Sequence, residues 1–407
     1  MGSLPDSLSP VGTLRLPARV HVGYGARHQL PEVLALHGRR VLAVVDPFLL
    51  GTPVLTETVD RLTAVGLEVH VHADVTPELP VDSLVAGAEV ARGFGADVVL
   101  AIGGGSALDA AKVLALLCTH EGPLSRYYGE NQVPGPVLPV VAVPTTAGTG
   151  SEVTPVAVVS DPDRELKVGI SSPFLVPVAA VVDPELTLGA PAPVTAFSGI
   201  DALVHAVESY TARSLEVDWT SPLPVFTGRN ALAEPLSLQA AAHLGPWLPV
   251  AVAQPGNRVA REEVARGALL AGVAFGSTGT HLCHALQYPI GAMTKTPHGL
   301  GTGLLLPYVM DAVRPVAADR LAALGAALEG IAPAESSAER TRARVAEMNA
   351  AIGVPADLAA IGITRDQLPR IVELGLRSAR LLAIAPVDPT PELLLDVLEH
   401  AYAGSAS

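Results

Sequence analysis

Asp201 and His205 lie four residues apart in the stretch GIDALVHAVESY, residues 199–210. Apolar residues at Ile200, Leu203, Val204 and Val207 give this stretch a helical period, and on a helix positions i and i+4 share a face. A carboxylate and an imidazole on one face are two candidate ligands for a divalent metal. Taken alone, the pair reads more readily as a capping Asp and an ordinary helical His. The downstream run HLCHALQYPIGAMTKTPHG adds His281, His284 and His298. By spacing, any two of these could join Asp201 and His205, and His281 and His284 would themselves share a helical face. Cys283 adjoins His284, but adjacent helical positions diverge by about 100°, so Cys283 is expected to pack. One carboxylate with several imidazoles and an open position suits a Lewis acid that polarises a carbonyl or alkoxide. His21, His28, His37, His70, His72, His120, His243 and His400 have no supporting spacing and are expected as surface or capping groups.

A second set of residues suits an anion. Gly103, Gly104, Gly105 and Ser106 follow an apolar strand candidate, Asp97–Ile102, and open a helix candidate, Ala107–Cys118. Glycines let backbone approach a ligand, and the free N–H groups of a helix N-terminus favour an anion such as a pyrophosphate. Ser106 with Asp109 three residues on reads as a capping box. A further strand candidate, Val137–Val143, runs into PTTAGTGSE (144–152), again hydroxyls and glycines at a strand's carboxyl end, where open α/β sheets bind ligands. Lys167 could donate to a ribose or phosphate if it faces the cleft.

These residues need a frame, and the chain supplies an α/β rhythm. Arg19–Gly25 reads as an edge strand; Arg40–Val45, ending at Asp46, and Glu68–Ala73 read as strands. Thr56–Val65 and Val81–Phe94 read as helices. Val153–Ser160 and Ala179–Asp183 are further strand candidates. Continuous apolar strands alternating with helices predict a parallel sheet. Pro184–Pro193 marks a boundary, dividing the chain into residues 1–190 and 191–407. Beyond it the pattern is helical: Thr195–Arg213, Leu236–Leu244, Arg258–Phe275, Leu282–Gly291, Ala317–Gly330, Ser337–Ile352, Arg365–Ser378 and Pro391–Ala403. Leu215–Arg229 is irregular, and residues 1 to about 13 look flexible.

Composition narrows the partners. A net charge of −14 over 407 residues argues against nucleic acid. The mean hydropathy is high enough to ask about a membrane. The uncharged run Val133–Ser151, however, is broken by four prolines and three glycines, and no signal peptide is evident. Cys118 and Cys283 alone make no disulfide framework and fit a reducing, cytoplasmic setting.

Four motifs in order, GGGSALDAAK (103–112), PTTAGTGSE (144–152), GIDALVHAVESY (199–210) and HALQYPIGAMTKTPHG (284–299), resemble the iron-containing (group III) alcohol dehydrogenase family. The resemblance runs from about Leu14 to the end. It implies an N-terminal Rossmann-like α/β dinucleotide-binding domain and an all-α C-terminal domain, the dehydroquinate synthase-like fold, with the active site between them. It implies that Asp201, His205, His284 and His298 hold the metal, Fe(II) with zinc suiting the same ligands. It places Gly104, Gly105, Ser106 and Asp109 at the pyrophosphate, Thr145, Thr146 and Thr149 along the cofactor, and Lys167 beside a ribose. Asp46 sits where the family often has an adenosine-ribose carboxylate, which favours NAD(H) over NADP(H). Where many members have a second His, four residues after the one matching His284, this chain has Tyr288. Tyr288, His281 or water could therefore carry the proton. The implied activity is hydride transfer between the nicotinamide and a small alcohol, aldehyde or ketone, by a homodimer or higher homo-oligomer. The sparse charge in the expected pocket segments points to a neutral substrate. A hydroxyacid–oxoacid transhydrogenase, whose branch the 215–229 segment resembles, and a maleylacetate reductase-like enzyme are the alternatives within the family. A cyclase of the dehydroquinate-synthase type and a non-catalytic protein retaining the fold lie further off.

Overall fold

The computed structural model describes residues 11–404, so the expectation of a flexible lead falls almost wholly outside it. The chain begins with β1 (Arg19–Val22), α1 (Leu30–Ala35), β2 (Arg40–Val45), α2 (Pro53–Ala64), β3 (Glu68–His72), α3 (Val81–Phe94), β4 (Val98–Gly103) and α4 (Gly105–Thr119). It continues through β5 (Gly129–Glu130), β6 (Val140–Pro144), β7 (Val156–Val159), β8 (Val168–Ser171) and β9 (Ala179–Val182). Six strands form one parallel sheet in the order β1-β9-β6-β4-β2-β3. Period-two alternation assigns each strand's side chains to opposite faces. Leu42, Val44, Val99 and Ala101 pack with α3 and α4, while Val41, Val45, Val98 and Leu100 pack with α1 and α2. Strands covered on both faces must be apolar throughout, and β4 and β6 are buried along their whole length.

The expected strand Val153–Ser160 is shorter and lies elsewhere. Ser151–Val153 is a 3₁₀ turn, and Val156–Val159 joins β8 and β5 in a separate three-stranded sheet. The expected capping box is absent. The helix starts at Gly105, two residues early, so Ser106 lies inside it and Gly104 takes the N-cap position with no side-chain cap. The Asp109 carboxylate instead accepts from Ser151 Oγ at 2.5 Å and from the Val158 N–H at 2.9 Å. His72, expected at the surface, is buried, its ring against Gly87 of α3.

The second half is α5 (Ala192–Thr211), α6 (Glu234–Ala253), α7 (Arg258–Thr278), α8 (Leu282–Thr294), α9 (His298–Glu329), α10 (Ala338–Ala351), α11 (Leu368–Gly375), α12 (Ala379–Ala383) and α13 (Pro391–Ala403). Two of these outrun the sequence reading. α6 continues through Pro246 and Pro249, and α9 begins at His298 and passes Pro307 and Pro315 before a kink at Ala317. Proline removes one backbone donor and crowds the preceding turn; here the apolar faces packed into one large core outweigh that cost. Among the described residues no helix is long and apolar enough to cross a membrane.

Where α5 and α9 cross, Gly299 and Gly303 make room. A Cβ on Gly299 would lie 1.9 Å from the Phe197 carbonyl oxygen and 2.9 Å from Asp201 Cβ. One on Gly303 would meet Ile200 at 2.8 Å. The close crossing sets His298, one residue before Gly299, against Asp201. Gly299→Ala is therefore expected to cost about 2–3 kcal/mol by overpacking, read as a lower urea midpoint, and to weaken divalent-metal retention in parallel.

Candidate active site between sheet and helices

A cavity of about 200 Å³ opens between the carboxyl edge of the sheet and the helical half. Asp201 and His205 enter it from α5, His284 and Tyr288 from α8, and His298 from the first turn of α9. His205 Nε2 is 3.7 Å from Asp201 Oδ2, and the Nε2 atoms of His284 and His298 are each 3.8 Å from Oδ1. These separations are too long for hydrogen bonds. They are near the ~3.4 Å expected between two donors each about 2.1 Å from a common tetrahedral centre. Asp201, His284 and His298 present ligand atoms all within 4.8 Å of one another. His284 Nε2 is buried with no hydrogen-bond partner among the described residues, as a donor atom reserved for an ion would be. His298 remains 41% exposed and leaves the centre open on that side.

Surrounding groups fix these side chains. His284 Nδ1 donates to Glu208 at 2.7 Å, so its Nε2 lone pair faces Asp201. Thr302 Oγ1 donates to Asp201 Oδ1 at 2.7 Å. Phe275 stacks on His205 with ring centroids 4.1 Å apart. Burial pulls the pKa of His205 down and that of His284 well down, which keeps both neutral and able to ligate. Burial pushes Asp201 up, but His205, His298, His284 and the Thr302 hydroxyl outweigh it and hold the carboxyl below its ordinary range. Cys283 lies in the core, as its position beside His284 implied.

His281 does not join this group. It is buried at the head of α8 and does not line the cavity. Its Nδ1 accepts from the Leu282 N–H at 2.8 Å, and its Nε2 lies 3.0 Å from Thr211 Oγ1, whose proton goes to the Val207 carbonyl. Both of its nitrogens are engaged by these neighbours, away from the cavity lining. Tyr288 does face the cavity, its ring centroid 6.1 Å from that of His298.

The residues expected at a dinucleotide gather at the ends of adjacent strands. Asp46 follows β2, Gly103 ends β4 and Thr145 follows β6. The Asp46 carboxyl is half-buried, which pushes its pKa up, and it accepts from the Phe48 and Gly104 N–H groups. The glycines divide in role. A Cβ on Gly103 would meet Ala107 Cβ at 2.6 Å, and one on Gly105 would meet Thr149 Cγ2 at 2.8 Å, so packing demands both. Gly104 has nothing nearer than Thr146 at 3.7 Å and presents open backbone. Thr145 Oγ1 is buried without a partner among the described residues. Ser106 and Thr149 line the cavity, whereas Thr146 borders a small recess toward Ser198 and Arg261. Lys167 reaches the cavity mouth, 3.3 Å from Glu78. Asp109 is a tie between α4, Ser151 and β7; its engaged acceptor oxygens offer a phosphate nothing.

Several functional neighbours escaped the sequence reading. Glu208 lies three residues after His205 on the same face, an acid in an apolar helix, and that signal was available. Lys112 is fully buried, with Nζ donating to Ser151 Oγ, the Thr154 carbonyl and the Val156 carbonyl at 2.8–2.9 Å. Its pKa is lowered to about 8, chiefly by burial. Phe226, from the irregular 215–229 segment, and Arg380 both line the cavity, so that segment shapes the pocket.

Two family profiles, described as "Iron-containing alcohol dehydrogenase" and "Fe-containing alcohol dehydrogenase family, C-terminal", match residues 17–184 and 195–402. Long-chain-alcohol dehydrogenase 1 of Geobacillus thermodenitrificans is 35% identical, over 97% of this chain and 98% of its own length. NAD-dependent methanol dehydrogenase of Bacillus methanolicus is 33% identical, over 86% of this chain and 90% of its own. The crystal structure of a 1,3-propanediol oxidoreductase superposes with a TM-score of 0.89 at 28% identity, covering 96% of this chain and 100% of that one. By their names these relatives are alcohol oxidoreductases, and the superposed structure shares this chain's fold of a parallel sheet followed by a helical half. The chain belongs to the iron-containing alcohol dehydrogenase family.

Proposed function

We propose that the protein is a metal-dependent, NAD(H)-preferring alcohol dehydrogenase or aldehyde reductase. The observation that carries this reading is the convergence of three imidazole Nε2 atoms on the Asp201 carboxylate at 3.7–3.8 Å. Asp201, His205, His284 and His298 would hold a divalent ion, Fe(II) by family and zinc by ligand chemistry. Such an ion supplies a Lewis acid for the substrate oxygen, and a nicotinamide cofactor supplies the hydride.

The chain's own residues do the rest. Phe275 and Phe226 give the cavity apolar walls that exclude water. Tyr288 lines the cavity beside His298 and is the group on hand to pass a proton. Burial raises its pKa, so it stays protonated at neutral pH and acts as a donor. The uncapped N-terminus of α4 and the open Gly104 backbone suit a pyrophosphate. Asp46, on the neighbouring strand end, suits a ribose 2′-hydroxyl and would repel a 2′-phosphate.

His284→Ala is expected to abolish both bound metal and aldehyde reduction; normal turnover with no bound metal would overturn the proposal. Glu208→Gln keeps all four ligands but weakens their support, and a roughly 10–100-fold loss of metal affinity is expected by competition with a fluorescent chelator. NADH should exceed NADPH in kcat/KM by at least about tenfold. Asp46→Ala should narrow that gap, and equal values in the unaltered protein would refute the NAD preference.

A further inference from the structure

Every carboxylate on the cavity wall has a partner. Glu78 pairs with Lys167 at 3.3 Å. Asp109 accepts from Ser151 Oγ and the Val158 N–H. Asp201 is ringed by three imidazoles and the Thr302 hydroxyl. Arg380 is the exception among the cations. Its guanidinium lines the same cavity, yet among the described residues it has no ion pair and no side-chain hydrogen bond. The face of Phe226 holds it there, with Cζ 4.5 Å from the ring centroid. It is close enough for its charge to act on Tyr288 and His284.

A guanidinium offers five donors in a fixed planar fork. Arg380 is part-buried at the cavity wall, so its N–H groups are open to water, and an oxyanion can take the place of that water in a charge-assisted, bidentate pair. The ring of Phe226 fixes its plane without using any of its N–H groups. An incoming oxyanion therefore meets a pre-oriented fork with no internal carboxylate competing for it. The partnered acids place no free carboxylate in its way.

We infer that Arg380 is a substrate-recognition residue, and that the natural substrate is a short aldehyde or alcohol bearing a carboxylate or similar oxyanion at the end away from the reacting carbon. This replaces the neutral substrate expected from the sequence. The inference rests on the oxidoreductase reading above, with the reacting oxygen at the Asp201–His298 centre and the anion at Arg380.

The metal-loaded enzyme with NADH separates the two. Succinic semialdehyde and 4-methylpentanal are near-isosteric, differing in a terminal carboxylate against an isopropyl group. The expected result is a kcat/KM ratio favouring the anionic aldehyde by about 10–100-fold. Arg380→Met should collapse that ratio toward one, and Arg380→Lys should restore part of it. Succinate, which cannot be reduced, should bind the unaltered protein in calorimetry, and Arg380→Met should lose that binding. Equal use of both aldehydes overturns the anion site and leaves the oxidoreductase standing. Turnover of neither overturns both. A ratio unchanged in Arg380→Met, with a raised KM for NADH instead, overturns the assignment by placing the guanidinium on the cofactor.

Discussion

A single carboxylate with no solvent exposure, Glu208, joins the two helices that carry most of the candidate metal centre. It projects from α5 to the head of α8, where it accepts from the His281 N–H at 2.9 Å, the Cys283 N–H at 2.6 Å and His284 Nδ1 at 2.7 Å. Burying a lone carboxylate costs several kcal/mol, and only a full set of donors offsets that. Here the donors are the free N–H groups of a helix N-terminus, where the helix dipole also favours negative charge. The same bonds fix the distance between α5 and α8 and the tautomer of His284. Asp201 and His205 then follow on the same face of α5, at helical spacing, without further adjustment.

The sheet half is locked by a comparable device. The ammonium of Lys112 is enclosed with Asp109 at 4.0 Å and holds the 144–156 loop through Ser151 and two carbonyls. Glu152, nearby and buried, has its pKa raised to about 7, mainly by desolvation. A loop carrying glycines at 148 and 150 would otherwise be mobile. Close packing holds it as well: a Cβ on Gly150 would lie 2.6 Å from Gly272 Cα of α7, and one on Gly148 would lie 2.5 Å from the Ser198 carbonyl of α5. Arg261 of α7 adds donors to Thr195 Oγ1 and the Ala190 carbonyl across the 184–195 connection. The cavity between the halves is thus defined by backbone contacts on both sides, which suits a reaction that needs two reactants held in register.

Charge inside the cavity is arranged by pairing. The imidazoles of His205 and His284 are kept neutral by burial, and the acids are paired or hydrogen-bonded. The fork of Arg380 is pinned by an aromatic face that takes none of its donors. Phe226 reaches that position because Thr227, next in the chain, bonds through its N–H to the Ser277 carbonyl at 2.8 Å, and the Arg15 guanidinium holds the Val225 carbonyl at 2.7 Å. An irregular segment is thereby made into a wall of the site.

The sequence by itself determined the alternation of buried strands and helices, because a two-sided parallel sheet leaves no polar positions to confuse the pattern. It also determined the pairing of Asp201 with His205, because one helix fixes their spacing. Helix extents across Pro246, Pro249, Pro307 and Pro315 were not legible, since the packing that outweighs a proline penalty comes from distant elements. Neither was the choice of His284 and His298 over His281, which turns on a carboxylate in another helix claiming the head of α8. The capping box at Ser106 failed for the same kind of reason: Asp109 found stronger partners in Ser151 and Val158, some 40–50 positions away. Arg380 carried no local signal at all. Its place in the cavity is set by α12 packing near α8 and by a ring from the 215–229 segment, contacts that exist only once the chain is folded.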